Sequence, residues 1–449
     1  MSGQLITNAS VLQILSQHLH RPVDVAARQR AVLHVLDWLG CAAFGVRRPA
    51  MQGFVESVKA GSAGLCQTHL IGKRGWWDAL QVNAACGNVL EMDDLDRSSI
   101  LHPGPVVVPA AIAVAELVAA SGEQLLAAIV RGYEATIRIG RALGTSHYKY
   151  FHNTSTCGAF GAAAAAADLL GLNVEQTVWA LANAGSRTGG LWQMRHEACE
   201  TKSLHNAQAA QTGVQAAMLA RQGVRGPASL LEGPQGLFAA TAPGADALHV
   251  LADLTRDWLI GEVSFKPWPA CRHAHPGIDA ALAIRGQIGD PQRIDAVTIS
   301  TYQSAINFCD RLSPETEMEA KFSLQHCVAV ALLTGAARFA DFDPANLHTT
   351  ELVRLRRRIR VEVSPALTAA FPAHYGAHIK VTLVDGTVLE HLQADAKGDP
   401  ELALTTEEIV GKAGLLMHEA GIIDTSDLIN ATLALPRAAS VSAWTAHWP

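Results

Sequence analysis

The sequence has few charged residues and lacks the features of membrane and nucleic-acid-binding proteins. Only 17% of its 449 residues are charged, the formal net charge is −6, and the basic residues form no long patch. No apolar run reaches the roughly 18 residues that a membrane-spanning helix needs. Met1–Gln4 show no basic stretch or apolar core of a secretory signal peptide. We therefore expect a protein that binds neither nucleic acid nor membrane.

Paired cysteines and cofactor motifs are also missing. The eight cysteines are dispersed and never spaced as Cys-x-x-Cys, which is typical of thiols in a reducing cytoplasm and does not indicate structural zinc. The glycine motifs of dinucleotide-binding, P-loop and serine-hydrolase sites are absent. We expect a cytoplasmic protein with no metal and no cofactor, so that its chemistry is limited to proton transfer, elimination, decarboxylation or hydrolysis.

The residues that are abundant favour helices in the first half of the chain. Apolar residues make up 49% of the sequence, and alanine runs such as 162–167 favour tightly packed helices. Helix-period patterns predict helices at 25–44, 77–90, 104–119, 123–143, 159–170, 173–184 and 205–221. We predict a mainly α protein with a large all-α domain over 1–264, completed by 405–449.

Strand patterns begin after residue 262. The ranges 293–302 and 359–363 alternate and are rich in β-branched residues. The range 378–392 contains two alternating runs around Asp385-Gly386, a dipeptide suited to a tight hairpin turn. Helices are predicted between these strands. We therefore predict a smaller α+β lid domain over 265–404.

The first of four polar clusters is acidic. It contains Glu91, Asp93, Asp94 and Asp96, and His102-Pro103 follows it. Four carboxylates in six residues repel one another, so the cluster needs solvent, cations or raised pKa values. A solvated loop or a magnesium site is the simpler interpretation, and a catalytic carboxylate is the alternative.

The second cluster, 147–154, is dense in groups that exchange protons. It contains His147, Tyr148, Lys149 and His152. Such groups suit general acid–base catalysis once neighbours move their pKa values toward neutrality. A loop between helices with surface histidines explains the pattern equally well.

The remaining clusters contain lysines and histidines. Lys202 precedes an alanine-rich helix and is weak evidence alone. Lys266 begins a proline-stiffened segment that contains Cys271, Arg272 and His275. The cysteine and histidine spacing does not match common zinc sites. Arg272 and Lys266 suit a carboxylate ligand better, since a guanidinium pairs with a carboxylate in a two-pronged hydrogen bond.

Taken in this order, the motifs resemble those of the MmgE/PrpD family. The matching segments are the acidic stretch ending in His-Pro, Gly-Tyr-Glu at 132–134, His-Asn-Thr-Ser-Thr at 152–156, Lys-Pro-Trp-Pro-Ala-Cys at 266–271 and Lys-Phe-Ser-Leu at 321–324. The resemblance extends over nearly the whole chain. It implies a helical domain and an α+β domain with the active site between them, and a homodimer that uses neither metal nor organic cofactor.

The resemblance also implies a set of site residues, bordered by Tyr148 and Lys149. The set is Glu91, Asp94, His102, His152, Lys202, Lys266 and Cys271.

The sequence departs from the family pattern at four positions. Glu91 stands where aspartate is common, and Asn153 replaces the proline after the histidine. His326 takes a position that is often tyrosine in the decarboxylases, and Cys271 one that is histidine in the animal enzymes. These changes leave general proton-transfer chemistry in place and specify no single substrate.

The resemblance implies a lyase, of dehydratase or decarboxylase type, that removes a proton from carbon in a small di- or tricarboxylic acid. In this hypothesis, Lys202, Lys266, Arg272 and His102 hold the substrate carboxylates and stabilise the charge that develops. His152 is the base or acid, and Tyr148, Lys149 or His326 acts on the opposite face. Glu91, Asp94, Cys271 and His275 complete the binding residues.

Three other functions remain open at this point. The first is an epimerase or isomerase of a dicarboxylate such as an iminodisuccinate-like compound. The second is a non-catalytic carboxylate-binding protein. The third is a metal-dependent hydrolase that would use Asp93, Asp94, His102 and His275.

Overall fold

The protein is described by a computed structural model over residues 9–197 and 199–448. Met1–Gln4, on which the expectation about a signal peptide rests, lie outside these residues. The chain divides into two compact units. The first contains the residues up to Val89, Asp93–Val263 and the residues from Thr405 on, and the second contains Leu90–Met92 and Ser264–Leu404.

Within its described residues, the first unit begins with ten α-helices. They are α1 (Val11–Leu19), α2 (Val25–Gly45), α3 (Gln52–Lys59), α4 (Trp76–Cys86), α5 (Gly104–Leu117), α6 (Gly122–Tyr148), α7 (Asn153–Leu169), α8 (Val174–Gly185), α9 (Thr201–Arg221) and α10 (Leu237–Thr241). Helix α7 packs against α5, α6, α8 and α9, and its residues 153–167 are all buried. The prediction of tightly packed alanine-rich helices is therefore confirmed.

Four predicted helix boundaries differ from the structure by four residues or more, and they are the end of α4, the end of α6 (Tyr148, predicted at 143), the start of α7 and the start of α9 (Thr201, predicted at 205). Helix α7 begins at Asn153 rather than near residue 159, because Asn153 and Thr154 bind neighbouring loop residues from inside the first turn. Helix α4 ends at Cys86, four residues before the predicted end. The chain then turns through Glu91, which has a positive φ of 59°. This turn takes Leu90–Met92 out of the first unit and into the second.

The second unit contains six α-helices and one four-stranded sheet. Its elements are α11 (His275–Ile288), β1 (Ile294–Thr301), α12 (Gln303–Cys309), α13 (Glu317–Lys321), α14 (Leu324–Thr334), α15 (Thr350–Arg356), β2 (Ile359–Val363), α16 (Pro365–Ala370), β3 (Ala377–Leu383) and β4 (Val388–Gln393). The strand order is β2-β1-β3-β4. Strands β1 and β2 are parallel, with Val297 opposite Ile359, and the other two pairs are antiparallel.

The predicted hairpin is present in the second unit. Strands β3 and β4 are joined through Asp385-Gly386, and Gly386 has a φ of 84°. Helices α11 and α14 pack together, and α11 also covers β3 and β4. Alternating residues of β3, among them Ile379 and Val381, form the core with these helices. The fold class is thus mainly α with a smaller α+β part, as predicted.

Three further helices complete the first unit, and they are α17 (Thr406–Glu419), α18 (Ser426–Leu433) and α19 (Val441–Thr445). Helix α17 packs on α2, where Lys412 Nζ lies 2.6 Å from Asp37 Oδ1 and both side chains are buried. Among the described residues, none of the helices combines the length and hydrophobicity that crossing a membrane would require.

Close helix packing in the first unit gives a stability prediction. A Cβ at Gly161 of α7 would lie 1.8 Å from Thr136 Oγ1 and 2.7 Å from the Gly132 carbonyl oxygen. Gly161→Ala should therefore lower the free energy of unfolding by about 1–3 kcal/mol, as overpacked cores do. Urea denaturation of Gly161→Ala and wild type measures this difference.

The matched control is Gly53→Ala in α3. A Cβ there would meet no atom within 4 Å. This variant should be stabilised by about 0.4–1 kcal/mol, because alanine restricts the unfolded chain. Equal effects of the two substitutions would contradict the packing of α7.

Candidate functional site

The acidic cluster is buried. Glu91, Asp93, Asp94 and Asp96 each expose 2% or less of their surface, so the interpretation as a solvated loop is wrong. Asp93, Asp94 and Asp96 lie in the first unit. Hydrogen bonds to protein groups there replace those that water would make. Asp96, for example, accepts from Arg141 Nη2 at 2.5 Å and from the Ser99 backbone N–H at 2.9 Å. These contacts explain how closely spaced carboxylates persist without solvent.

The Asp94 carboxylate accepts three hydrogen bonds. Its Oδ2 accepts from His34 Nδ1 at 2.7 Å and from the Tyr133 hydroxyl at 2.6 Å, and its Oδ1 accepts from the Gly104 N–H at 2.9 Å. Burial acts to raise the pKa of Asp94, but these hydrogen bonds and the interaction with His34 outweigh it and the pKa is lowered. Asp94 therefore remains an anion that orients its neighbours.

His102 is held in one orientation by the same segment. Its Nδ1 lies 2.9 Å from Asp93 Oδ2 and 2.7 Å from the Asp94 carbonyl oxygen. The ring therefore donates from Nδ1, which leaves Nε2 for another partner. The backbone N–H of His102 donates to Thr154 Oγ1 at 3.0 Å.

His152 directly precedes α7 as its N-cap residue. Its ring is 2% exposed, and its backbone N–H donates to the Gly190 carbonyl oxygen at 2.8 Å. Within the described ranges, its Nε2 has no hydrogen-bond partner. Burial, followed by the charges of Lys202, His205 and His102, lowers the pKa of His152 well below its usual value. His152 is thus a neutral, buried imidazole, a form that can accept a proton.

Lys202, Tyr148 and Lys149, the other predicted site residues discussed for the first unit, differ in burial and in their relation to His152. Lys202, at the start of α9, is half-buried and acts electrostatically on His152. Tyr148 packs edge-on against Trp192, with ring centroids 5.4 Å apart, and Trp192 lies 4.7 Å from the His152 ring. Lys149 is exposed, and its Nζ lies 5.1 Å from the centre of the Tyr150 ring. Tyr148 is therefore brought toward His152 through Trp192, whereas Lys149 faces solvent.

The second unit has its own buried charge cluster. Lys266 and Glu91 are 0% and 2% exposed, and Lys266 Nζ donates to Glu91 Oε2 at 3.4 Å. Lys321 Nζ donates to the Leu90 carbonyl oxygen at 3.1 Å and to Glu317 at 2.8 Å. The two lysines hold Leu90–Met92 in this unit, and they supply positive charge in a water-poor environment.

Cys271 lies in the same cluster. Its backbone N–H donates to the Lys321 carbonyl oxygen at 2.9 Å. Burial acts to raise the pKa of the Cys271 thiol, but the hydrogen bond with Cys309 and the charge of Lys266 lower it overall.

Arg272 and His275 have structural partners within the second unit. Arg272 forms a buried ion pair with Asp399 and donates to the Lys397 carbonyl oxygen at 3.0 Å. His275 contacts Arg272 through Nδ1 at 3.2 Å and the Ala270 carbonyl oxygen through Nε2 at 3.1 Å. These contacts engage both terminal nitrogens of Arg272 and both ring nitrogens of His275, while Arg272 Nε has no hydrogen-bond partner among the described residues.

Both ring nitrogens of His326 also have partners within the second unit. Its Nε2 lies 2.9 Å from the Asp341 carbonyl oxygen, and its Nδ1 lies 3.5 Å from Arg356 Nη1. Burial lowers the pKa of His326 to about 4. Its ring also packs on Phe342, with centroids 5.3 Å apart, so the contacts resemble those of a core histidine.

Sequence reasoning missed four residues that shape the two clusters. His34 and Tyr133 bind Asp94, His205 contacts His152, and Lys321 binds Leu90. Tyr133 and Lys321 lie in motifs that were recognised, but their partners are 39 and 231 residues away. His34 and His205 lie in apolar or alanine-rich helices, where a single histidine gives no signal of its own.

The geometry does not favour the metal-dependent hydrolase. Among the described residues, a group whose ligand atoms lie close enough to hold an ion consists of His374, Asp395 and Glu401. It contains none of the residues proposed for that function, and His275 has both ring nitrogens engaged in the second unit. A buried neutral histidine that lies near the positive charge of Lys202 is a different kind of site.

The fold and the two clusters define a mainly helical protein with buried groups for acid–base chemistry. The chain matches the MmgE/PrpD N-terminal domain over residues 13–248 and the MmgE/PrpD C-terminal domain over residues 268–427. The protein belongs to the MmgE/PrpD family.

Its similarity to curated relatives extends over most of the chain. Cis-aconitate decarboxylase of Mus musculus is 28% identical over 356 residues, which cover 74% of this chain and 70% of that protein. Cis-aconitate decarboxylase of Aspergillus terreus is 25% identical, with 94% and 91% covered. The 2-methylcitrate dehydratase of Escherichia coli is 23% identical, with 80% and 79% covered.

Proposed function

We propose that the protein is a lyase that removes a proton from carbon in a small di- or tricarboxylic acid, with loss of water or carbon dioxide. Relatives named as a decarboxylase of cis-aconitate and a dehydratase of 2-methylcitrate support this class of reaction and substrate. The observation that carries the proposal is the state of His152. The residue is neutral and buried, and its Nε2 has no hydrogen-bond partner among the described residues.

The proposal gives Lys202, His102 and Lys266 an electrostatic role. Removal of a proton next to a carboxylate creates an enolate-like anion, which preorganised positive charge stabilises best where water is excluded. Lys202 and His102 act on His152 in the first unit, and Lys266 is fully buried in the second. Lys202 and His102 are proposed to bind a carboxylate and to stabilise the anion that develops near His152, and Lys266 is proposed to bind carboxylates in the second unit.

The proposed assembly is a homodimer in the cytoplasm. Seven of the eight cysteines are buried and Cys199 is exposed, and all are thiols. Dispersed thiols are typical of a reducing compartment, which supports the cytoplasmic location. Size-exclusion chromatography with light scattering tests the dimer directly.

A substrate panel tests the proposed function. Purified protein treated with EDTA is incubated with cis-aconitate, 2-methylcitrate, citrate and malate, and products are identified by proton NMR. We expect at least one acid to give a new alkene or decarboxylated product. If no acid reacts but one or more bind, the protein is a carboxylate-binding protein instead. A product with inverted configuration and unchanged mass would instead identify an epimerase.

The environment of His152 also predicts the pH dependence of catalysis. A histidine base must be unprotonated, and burial together with the Lys202, His205 and His102 charges lowers its pKa. Activity is therefore retained as pH falls through the usual histidine value of about 6.5 and is lost only well below it. The acidic limb of the pH profile of kcat/KM measures this loss of activity.

The Lys202→Met variant provides the matched test of that profile. Removing this positive charge takes away one of the causes that lower the His152 pKa. We expect the acidic limb of Lys202→Met to move to higher pH, whatever its effect on the maximal rate. An acidic limb at or above about pH 6.5 in the wild type would contradict the assignment of His152 as the base.

A further inference from the structure

We propose that His205 is a positioning residue that shares one proton with His152 and thereby sets which nitrogen of His152 is protonated. The pairing stands on geometry alone, and only its catalytic consequence rests on the proposed function. His152 Nδ1 and His205 Nδ1 are 3.2 Å apart, and the two residues are 2% and 7% exposed.

Both residues of the pair are closely surrounded. His152 is held by the Gly190 carbonyl oxygen and by the Trp192 ring, and His205 lies in the buried part of α9. A Cβ at Gly190, which has a φ of 120°, would lie 3.2 Å from His205 Nδ1 and 2.7 Å from Ser155. The loop at Gly190 thus packs closely against His205 and binds the backbone of His152.

Two facing Nδ1 atoms require an unequal distribution of protons. A hydrogen bond between them needs one Nδ1–H donor and one bare Nδ1 acceptor, and a neutral imidazole carries a proton on only one nitrogen. If His152 donates, its Nε2 is bare and can act as a base. If His205 donates, His152 Nε2 carries the proton and can act as an acid.

The pair provides a route for the proton taken from a substrate. The carbon–hydrogen bond breaks, its electron pair stays on carbon, and the proton bonds to His152 Nε2. The proton on His152 Nδ1 then moves to His205 Nδ1, so that His152 is neutral again and His205 carries the positive charge. Burial lowers the pKa of His205, which favours release of its Nε2 proton to solvent.

This relay changes what His152 can do in one turnover. Without His205, a proton accepted by His152 remains on a buried cation that Lys202 and His102 further destabilise. With His205, the positive charge moves to the more exposed ring of the two. His152 then presents an Nε2–H that can protonate a leaving group or a carbanion.

The shared proton is tested without any substrate. The full chain, labelled with 15N at histidine, is studied by long-range 1H–15N NMR in the wild type, in His205→Gln and in His152→Gln. We expect one ring of the pair to carry its proton on Nδ1 and the other on Nε2. His205→Gln should change the nitrogen signals of His152, which the His152→Gln spectrum identifies by their absence. His20→Gln, at the exposed histidine that directly follows α1, should leave them unchanged.

Turnover measurements test the catalytic consequence on cis-aconitate and 2-methylcitrate. We expect His205→Gln to lower kcat by about a hundredfold with little change in KM and with a shifted pH profile. Unchanged His152 nitrogen signals in folded His205→Gln would overturn the proposal, even if kcat falls, because the role would then be structural. If the wild type converts neither acid, the proposed function fails for these substrates, and the NMR result still decides whether the pair shares a proton.

Discussion

Replacing His152 with glutamine is expected to lower kcat by about 10²- to 10⁴-fold, the range that a general acid–base residue contributes. Glutamine has a similar length and can occupy the start of α7, where the backbone N–H of residue 152 donates to Gly190. It has no group that titrates near neutral pH, so proton transfer is lost while the fold is retained. Steady-state kinetics on the acid identified in the panel measure the effect, and circular dichroism verifies the fold.

The control for this experiment is His20→Gln. His20 is exposed, and its ring nitrogens contact the Ser16 and Leu172 carbonyl oxygens, far in sequence from the start of α7. We expect its kcat to match the wild type within about twofold, since it has no part in proton transfer. A His152→Gln protein with full activity would remove His152 from the mechanism.

The second large effect is expected at Lys266. Its side chain is fully buried and donates to Glu91, which is itself 2% exposed. Lys266→Met leaves the Glu91 carboxylate in a water-poor environment without this partner. Removing one member of a buried ion pair costs about 3–5 kcal/mol, so Lys266→Met should lose stability of that order as well as activity. Urea denaturation followed by tryptophan fluorescence measures the loss.

A double variant separates the charge effect from loss of packing. In Lys266→Met combined with Glu91→Gln, the buried carboxylate that lost Lys266 is absent, and most of the stability should return. Activity should not return, because the positive charge proposed to bind a carboxylate is still missing. A double variant no more stable than Lys266→Met would contradict the account of this pair.

The helical pattern and the hairpin were predictable because they depend on local sequence. Alanine runs without polar interruptions predict buried helices, and Asp385-Gly386 between alternating runs predicts the turn seen with Gly386 at a φ of 84°. The end of α4 was not predictable in the same way. The positive φ of Glu91 and the transfer of Leu90–Met92 to the second unit depend on Lys266 and Lys321, which are distant in sequence.

The candidate site could be predicted only in part for the same reason. His102 and His152 were identified because each lies in a dense polar segment, and the structure gives both restricted environments. His205 was missed because only the folded chain brings it, from 53 residues away, to His152. Arg272 has the chemistry of a carboxylate ligand, but its carboxylate partner is Asp399 of the same unit. Residue type identifies what a side chain can bind, and the fold determines whether that partner is already present.

Hydrogen exchange at carbon in D2O is the measurement that tests the central claim most directly. The wild type and His152→Gln, both treated with EDTA, are incubated in D2O with each acid of the panel and followed by proton NMR. The account predicts that the wild type exchanges a carbon-bound proton of at least one acid, or converts that acid to product, and that His152→Gln does so at least about a hundredfold more slowly. Equal rates in the two proteins, or binding of an acid by the wild type with neither exchange nor product, would contradict it.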